Sequence, residues 1–120
     1  MLLNKNIVLE IIRTNFSEQV EFESAMRVMD MYGYELEDIF DFPVDYAVLD
    51  SLGEMEIVEY SVAEDEKTMM GVLQLESIVE GYVHWDGSDE YWGSGETVLG
   101  FNFRFKAEDE KVSEFELWPI

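Results

Sequence analysis

The spacing of apolar residues in this chain changes from a helical period to a strand period near its middle. In the first half they recur at every third or fourth position, which lines one face of a helix. In the second half they alternate with polar residues, as in a strand buried on one side. Strands joined by short loops favour antiparallel pairing, with helices packed on one face. The sequence therefore predicts an α+β fold for residues 1–120 as a single acidic domain, with two or three N-terminal helices packed on a four-stranded antiparallel meander.

The predicted helices are defined by their apolar stripes and by residues suited to helix ends. The first stripe begins at Leu3, and its helix ends near residue 15. The second helix begins at Ser17, a good N-cap, and ends at Gly33, which suits a C-cap. A third, short helix is expected over residues 43–53, because a proline at its start suits a first helical turn. Its buried stripe would comprise Val44, Ala47, Val48 and Leu52.

Four strands are predicted in the second half, over residues 58–62, 69–85, 98–106 and 115–118. The third is the clearest, and its apolar face would comprise Leu99, Phe101, Phe103 and Phe105. An acidic turn joins the first two strands. A loop over residues 86–96, which mixes aromatic, small and acidic residues, is expected to join the second strand to the third.

The chain is far more acidic than solubility requires. Its formal net charge is −21, from 28 acidic and seven basic side chains, whereas a small domain needs a net charge of only about 2–8. Disorder does not explain this excess, because 48% of the residues are hydrophobic and 14% are aromatic. The acidity is also uneven, since no Lys or Arg occurs between Arg27 and Lys67 or between Lys67 and Arg104. This pattern predicts a surface that meets a strongly positive partner.

Two groups of residues are predicted to contact such a partner. The first is the acidic series in the base-free stretch after Arg27: Glu35, Glu37, Asp38, Asp41, Asp45, Asp50, Glu54, Glu56, Glu59, Glu64, Asp65 and Glu66. The second comes from the predicted loop and joins carboxylates to aromatic anchors: Asp89, Glu90, Tyr91 and Trp92. The alternative for this loop is that Trp85 and Trp92 plug the end of the sheet while the glycines serve the turns.

Catalytic and metal-binding chemistry finds little support in the sequence. The chain has no Cys and a single His, His84, so cysteine-based sites and histidine relays are excluded. No phosphate-binding glycine pattern and no EF-hand pattern occurs, although calcium binding of another kind stays open. We therefore expect a protein that is not an enzyme and that has no cofactor and no metal.

The negative charge also limits the classes of partner. Anionic lipid headgroups and nucleic acid phosphates would repel this chain. No stretch approaches the roughly 20 apolar residues of a membrane span. We therefore expect no direct contact with membranes or nucleic acids, and a cytoplasmic location.

These observations favour a non-enzymatic inhibitor that binds a basic, nucleic-acid-binding surface of a nuclease or similar protein. It would act either as a phage or plasmid counter-defence protein, such as an anti-CRISPR or antirestriction DNA mimic, or as an immunity protein against a toxin nuclease. The alternative is a binding or assembly module, such as a phage accessory protein, whose acidity is incidental. A halophilic source is a second explanation of the acidity, and a homodimer is left open.

Overall fold

A computed structural model describes residues 4–120 as three N-terminal helices followed by one four-stranded antiparallel sheet. The elements are α1 (Lys5–Asn15), α2 (Ser17–Met29), α3 (Tyr34–Phe40), β1 (Tyr46–Val62), β2 (Thr68–Trp85), β3 (Ser88–Glu108) and β4 (Lys111–Pro119). The strands lie in the order β1-β2-β3-β4, so the sheet is a meander. The predicted α+β fold is confirmed. Leu3, the predicted first member of the α1 stripe, lies outside the described residues.

The helices are held to the sheet through a junction at Phe16, between α1 and α2. The Asn4 side chain caps α1 by accepting a hydrogen bond from the backbone N–H of Ile7. The Phe16 ring stacks on Phe115 of β4, with 4.5 Å between ring centroids, and is tilted against Phe105 of β3. These aromatic contacts fix where the helices begin to cross the sheet.

Period-two alternation divides the sheet into a helix-covered face and an open face. Odd-numbered residues of β2 from 69 to 83 and of β3 from 93 to 107 face the helices, and Phe101, Phe103 and Phe105 are fully buried. Even-numbered residues from 70 to 80 and from 94 to 106 therefore lie on the opposite side, which we call the open face. A directly paired residue of β1 or β4 shares the face of its partner.

The predicted third helix over residues 43–53 is wrong, because most of this segment belongs to strand β1. The β1–β2 register shifts between Leu49 and Ser51 and again between Leu52 and Met55. Each β-bulge inserts an extra residue and breaks the period-two alternation. The apolar residues of this bulged strand consequently recur at three- and four-residue intervals, which mimics a helical stripe.

The predicted loop over residues 86–96 is also wrong, because β3 begins at Ser88. The β2–β3 connection is the two-residue turn Asp86–Gly87, and both residues have positive φ, at 50° and 83°. Such a turn matches the twist of two antiparallel strands. Tyr91 and Trp92 are therefore strand residues.

Two glycines of the paired strands, Gly81 of β2 and Gly95 of β3, lie against helix α3, whereas Gly87 forms the turn. A Cβ atom on Gly81 would lie 2.9 Å from the ring of Phe40, and one on Gly95 would lie 2.6 Å from Cγ2 of Ile39. Glycine at these two positions lets α3 pack directly on the sheet backbone. The sequence pattern did not predict α3 itself, which ends at Asp41 in the left-handed conformation.

The molecule is elongated, with principal extents of 57 × 20 × 20 Å. Strands of 17, 18 and 21 residues set this length. Within residues 4–120, none of the helices has both the length and the apolar character that crossing a membrane requires.

Candidate functional site

Charged side chains are distributed unequally between the two ends of the sheet. Four of the seven basic residues, Lys67, Arg104, Lys106 and Lys111, lie at the end formed by the β1–β2 and β3–β4 turns, which we call the lysine end. Three of them are ion-paired there: Lys67 to Glu108 at 2.7 Å, Arg104 to Glu116 at 2.5 Å, and Lys106 to Glu114 at 3.2 Å. The lysine end therefore neutralises much of its own negative charge.

The other half of the open face carries carboxylates without basic neighbours on the same strands. Its members, which we call the acidic strip, are Glu56, Glu76, Glu80 and Glu96. Glu56 pairs with Gln74 across β1 and β2, Glu76 pairs with Val98, and Glu80 pairs with Ser94 and Val48. The sequence of β1 contains no Lys or Arg, and neither does the stretch from residue 68 to residue 103. Among the described residues, this half of the open face therefore carries no basic side chain.

The carboxylates of the acidic strip are spaced by strand geometry. Glu76 and Glu80 are four residues apart on one face of β2, which separates their Cα atoms by about 13 Å. Glu96 pairs with Ile78 and so lies between them on the neighbouring strand. Only Glu56 of this strip was among the predicted contact residues. The period-two alternation of β2 was the signal that could have placed Glu76 and Glu80 together.

Beyond the acidic strip, the open face ends in a row of three tyrosines. Tyr46, Tyr82 and Tyr91 are paired directly across β1, β2 and β3. The Tyr46 and Tyr82 rings stack with centroids 5.3 Å apart, and Tyr91 meets Tyr82 edge to face at 5.8 Å. We call this group the tyrosine row. The Tyr82 hydroxyl donates a hydrogen bond to Glu80 at 3.0 Å, which raises the pKa of Tyr82.

Asp89 ties the tyrosine row to the β2–β3 hairpin. Its carboxylate bonds His84 Nδ1 at 2.9 Å and accepts a hydrogen bond from the Tyr46 hydroxyl at 2.9 Å. The bond to His84, followed by the bond from Tyr46, lowers the pKa of Asp89. The same Asp89 carboxylate raises the pKa of Tyr46. A second carboxylate, that of Asp45, accepts a hydrogen bond from the backbone N–H of His84.

Trp92, the predicted anchor, lies beside this network at the site of a bulge between β2 and β3. Its ring stacks on Phe42 with centroids 4.0 Å apart, yet 47% of the residue stays exposed. Trp85 is 68% exposed and plugs nothing. Glu90, the remaining predicted residue of this segment, pairs with Val83 and is exposed.

The predicted acidic residues of α3 lie on the helix side of the molecule. Glu37, Asp38 and Asp41 are exposed. Glu35 is instead ion-paired with Arg27 at 2.6 Å, and this bond lowers the pKa of Glu35 and raises that of Arg27. Arg27 lies in α2 and Glu35 in α3, so the two residues meet only because the chain turns between these helices. The sequence alone therefore did not indicate that Glu35 has a basic partner.

The other predicted residues are spread along β1 and its turn. Asp50 and Glu54 lie in the bulged part of β1, and Glu59 pairs with Val72 further along it. Glu64, Asp65 and Glu66 form the turn at the lysine end. Asp65 stabilises that turn by accepting bonds from the N–H groups of residues 67 and 68 and from the Thr68 hydroxyl, which lowers the pKa of Asp65.

The predicted series from Glu35 to Glu66 therefore does not converge on one surface. The length of β1, about 50 Å, separates Asp45 from the turn at Asp65. Within residues 4–120, no group of three or more His, Asp or Glu side chains is arranged to hold a metal ion. No protein-family model, curated protein or solved structure matches this chain.

Proposed function

We propose that this protein is a non-enzymatic inhibitor that binds a basic, nucleic-acid-binding surface of another protein. The observation that carries the proposal is the acidic strip, a set of unneutralised carboxylates held at fixed spacing on a rigid sheet. Its carboxylates would form charge-assisted hydrogen bonds with Arg and Lys side chains that otherwise contact phosphates. Occupying those side chains excludes the nucleic acid.

The charge density of the molecule supports this proposal. A net charge of −21 along a 57 Å axis is one negative charge per 2.7 Å (57/21). All counted charges belong to residues 4–120. Duplex DNA carries one negative charge per ~1.7 Å of axis, and a single strand carries one per ~3.4 Å. The chain therefore lies in the range of a nucleic acid that a basic cleft attracts.

The tyrosine row and Trp92 would add specificity to this attraction. Bare electrostatic attraction mainly sets the rate of encounter, whereas a desolvated aromatic anchor slows dissociation. The rings are held by stacking before any partner arrives, so little side-chain entropy would be lost on binding. In biological terms, the inhibitor would act in the cytoplasm as a counter-defence protein or as an immunity protein.

A binding or assembly module with incidental acidity is the second candidate, and apolar residues on the open face favour it. Val48, Ile78 and Val98 lie between the carboxylates and are 41%, 40% and 58% exposed. Salt distinguishes the two candidates. Binding through the acidic strip weakens steeply as salt rises, whereas binding through these apolar residues does not.

The direct test is competition with DNA on the protein that this chain captures from its native host. The inhibitor should displace a fluorescent duplex from that protein. The triple variant Glu76→Gln, Glu80→Gln, Glu96→Gln should raise the inhibition constant at least about tenfold. Glutamine keeps the side-chain volume and the hydrogen bond from Tyr82.

A matched control removes the same number of charges at the lysine end. Glu64→Gln, Glu66→Gln, Glu110→Gln changes three exposed acidic residues and should leave the inhibition constant within about twofold. Equal losses in the two triple variants would show that net charge alone matters and would remove the acidic strip from the proposal. A captured protein that keeps its DNA at saturating inhibitor would contradict the proposed function itself.

A further inference from the structure

The two edges of the sheet differ in how they are protected. At one edge, β1 is interrupted by three register shifts against β2, and such bulges discourage a further strand from pairing. At the other edge, β4 is short and pairs only with residues 101–108 of β3. The first part of β3, up to Gly100, therefore has a strand on one side only within residues 4–120.

The direction of the backbone groups on this unpaired part of β3 follows from the hydrogen bond at Gly100, where pairing with the β4 side ends. The Gly100 carbonyl accepts a hydrogen bond from the N–H of Ile120, so it faces the β4 side. Backbone groups of every second residue share a direction, which places those of Ser94, Glu96 and Val98 on the same side. The Thr97 carbonyl accepts from the Ser77 hydroxyl and faces β2, as this alternation requires.

Within the part of the chain that the structure describes, residues 94–99 thus form a free edge, with three N–H and three C=O groups available to another strand. Two of the usual means of blocking an edge do not occur here, since residues 88–100 contain neither Lys nor Pro. The strand stays in continuous register with β2 from Gly93 to Lys106. A groove runs alongside it, lined by Asp38 and Ile39 of α3, by the ion pair of Arg27 and Glu35, and by Ile120.

Resting on the proposed function, we infer that this free edge binds an extended basic segment of the target protein as an added β-strand. Main-chain hydrogen bonds would supply the pairing. On the open face, Lys or Arg side chains of the segment would lie against Glu96 and the rest of the acidic strip. On the other face, alternate small or apolar side chains would lie in the groove beside Ile39.

Charge selects this occupant over a second copy of the chain. Two free edges paired in an antiparallel dimer would bring together two chains of charge −21 and their Glu96 side chains. Like charges on paired strands are destabilising. A basic strand instead meets a carboxylate on each face, Glu96 on one side and Asp38 on the other, while the charge of Arg27 in the groove is offset by its ion pair with Glu35.

Amide hydrogen exchange followed by NMR tests the geometry of the edge. In the free protein, the amides of Ser94, Glu96 and Val98 should exchange rapidly, while that of Thr97 is protected by pairing with β2. An acetylated and amidated peptide of five Lys-Thr repeats should then protect the three exchanging amides. A peptide of the same sequence with every backbone nitrogen methylated is the charge-matched control, because it has no main-chain N–H to donate.

The variant Val98→Pro tests the edge without changing charge. It removes one outward N–H, and proline is tolerated on edge strands. It should weaken binding of the Lys-Thr peptide at least about tenfold, while Val98→Thr, which keeps the N–H, changes it less than about twofold. Circular dichroism checks the fold, and Ser94→Pro repeats the test if Val98→Pro does not fold.

The remaining outcomes each overturn the inference. Equal binding of the two peptides, without protection at residues 94–98, would leave the acidic strip as a charged surface and remove the strand addition. Failure of both peptides to bind would exclude a basic strand at this edge. A dimer in gel filtration that Val98→Pro dissociates would assign the edge to a second copy. None of these results depends on the DNA competition that tests the proposed function.

Discussion

Phe103 and Asn102 are neighbours on β3 that point to opposite faces of the sheet. Phe103 is fully buried beneath the helices, whereas Asn102 lies on the open face and is half-buried. Phe103→Ala should lower the free energy of unfolding by about 3–5 kcal/mol, the range for deleting a buried aromatic side chain. Asn102→Ala should lower it by much less. Urea denaturation measures both, and equal losses would contradict the assignment of faces.

The hydrogen bonds of Asp89 predict how its carboxyl titrates. Because His84 and Tyr46 both bond its ionised form, the pKa of Asp89 lies below its ordinary value. The carboxyl carbon shift of Asp89, followed by NMR, should therefore titrate at a lower pH than that of an ordinary Asp side chain. His84→Ala should raise this pKa most, and Tyr46→Phe should raise it less. Tyr82→Phe, which leaves both bonds in place, serves as the control.

The sign of the accompanying stability change follows from the lowered pKa. Because Asp89 ionises more readily in the folded chain, its contribution to stability is present above the unfolded pKa and is lost as pH falls through the folded value. Asp89→Asn should accordingly flatten this part of the acid unfolding curve. A midpoint for Asp89 at or above its ordinary value would mean that its hydrogen bonds do not persist in solution.

At the scale of elements, the docking of α3 depends on glycines in β2 and β3. Gly81→Ala would place a Cβ 2.9 Å from the Phe40 ring, so the helix must shift. We expect a loss of about 1–3 kcal/mol in the free energy of unfolding, as for other overpacked contacts. Gly93→Ala is the matched control, because a Cβ there meets nothing within 4 Å.

A double variant separates a clash with α3 from a general loss of stability. Phe40→Leu in the Gly81→Ala background should recover part of the loss, since a shorter side chain relieves the clash. Urea denaturation of the four proteins gives the coupling free energy. Additive losses would show that Gly81 acts on the strand itself and not through the packing of α3.

The sequence was sufficient to predict those helices and strands whose apolar pattern depends on one segment of the chain alone. The alternation around Phe103 follows from strand pairing alone, so β3 was predicted correctly there. Over residues 43–53 the bulges shift the register, and a strand acquires helical spacing. Gly81 and Gly95 serve a long-range contact with α3, which a local pattern of small residues cannot distinguish from a loop.

The candidate site was predictable only in part, for the same reason. The negative charge of the site follows from the composition of the chain, but the neighbours of each carboxylate depend on the tertiary structure. Glu35 looked unpaired until the fold brought it to Arg27. Conversely, Glu76 and Glu96 are distant in sequence and become neighbours through the register of β2 and β3.

At the scale of the whole molecule, the concentration of negative charge predicts how salt affects stability. Each carboxylate of the acidic strip has a neighbouring member of the strip within about 13 Å. The Debye length falls from about 10 Å at 0.1 M salt to about 3 Å at 1 M, so added salt should screen their repulsion. We expect the chain to be folded at 0.1 M sodium chloride, and its Tm to rise by at least about 3 °C at 1 M.

Charge variants show whether the acidic strip is the source of this effect. Glu76→Gln with Glu96→Gln should raise the Tm at 0.1 M salt and reduce the further rise at 1 M, because two repelling charges are gone. Glu64→Gln with Glu66→Gln, at the lysine end, should change both values less, since bases there already offset the charge. Calorimetry at the two salt concentrations measures all three proteins. A chain that is unfolded at 0.1 M and folds only in molar salt would instead assign its acidity to adaptation to a saline cytoplasm, and the partner proposal would lose its main support.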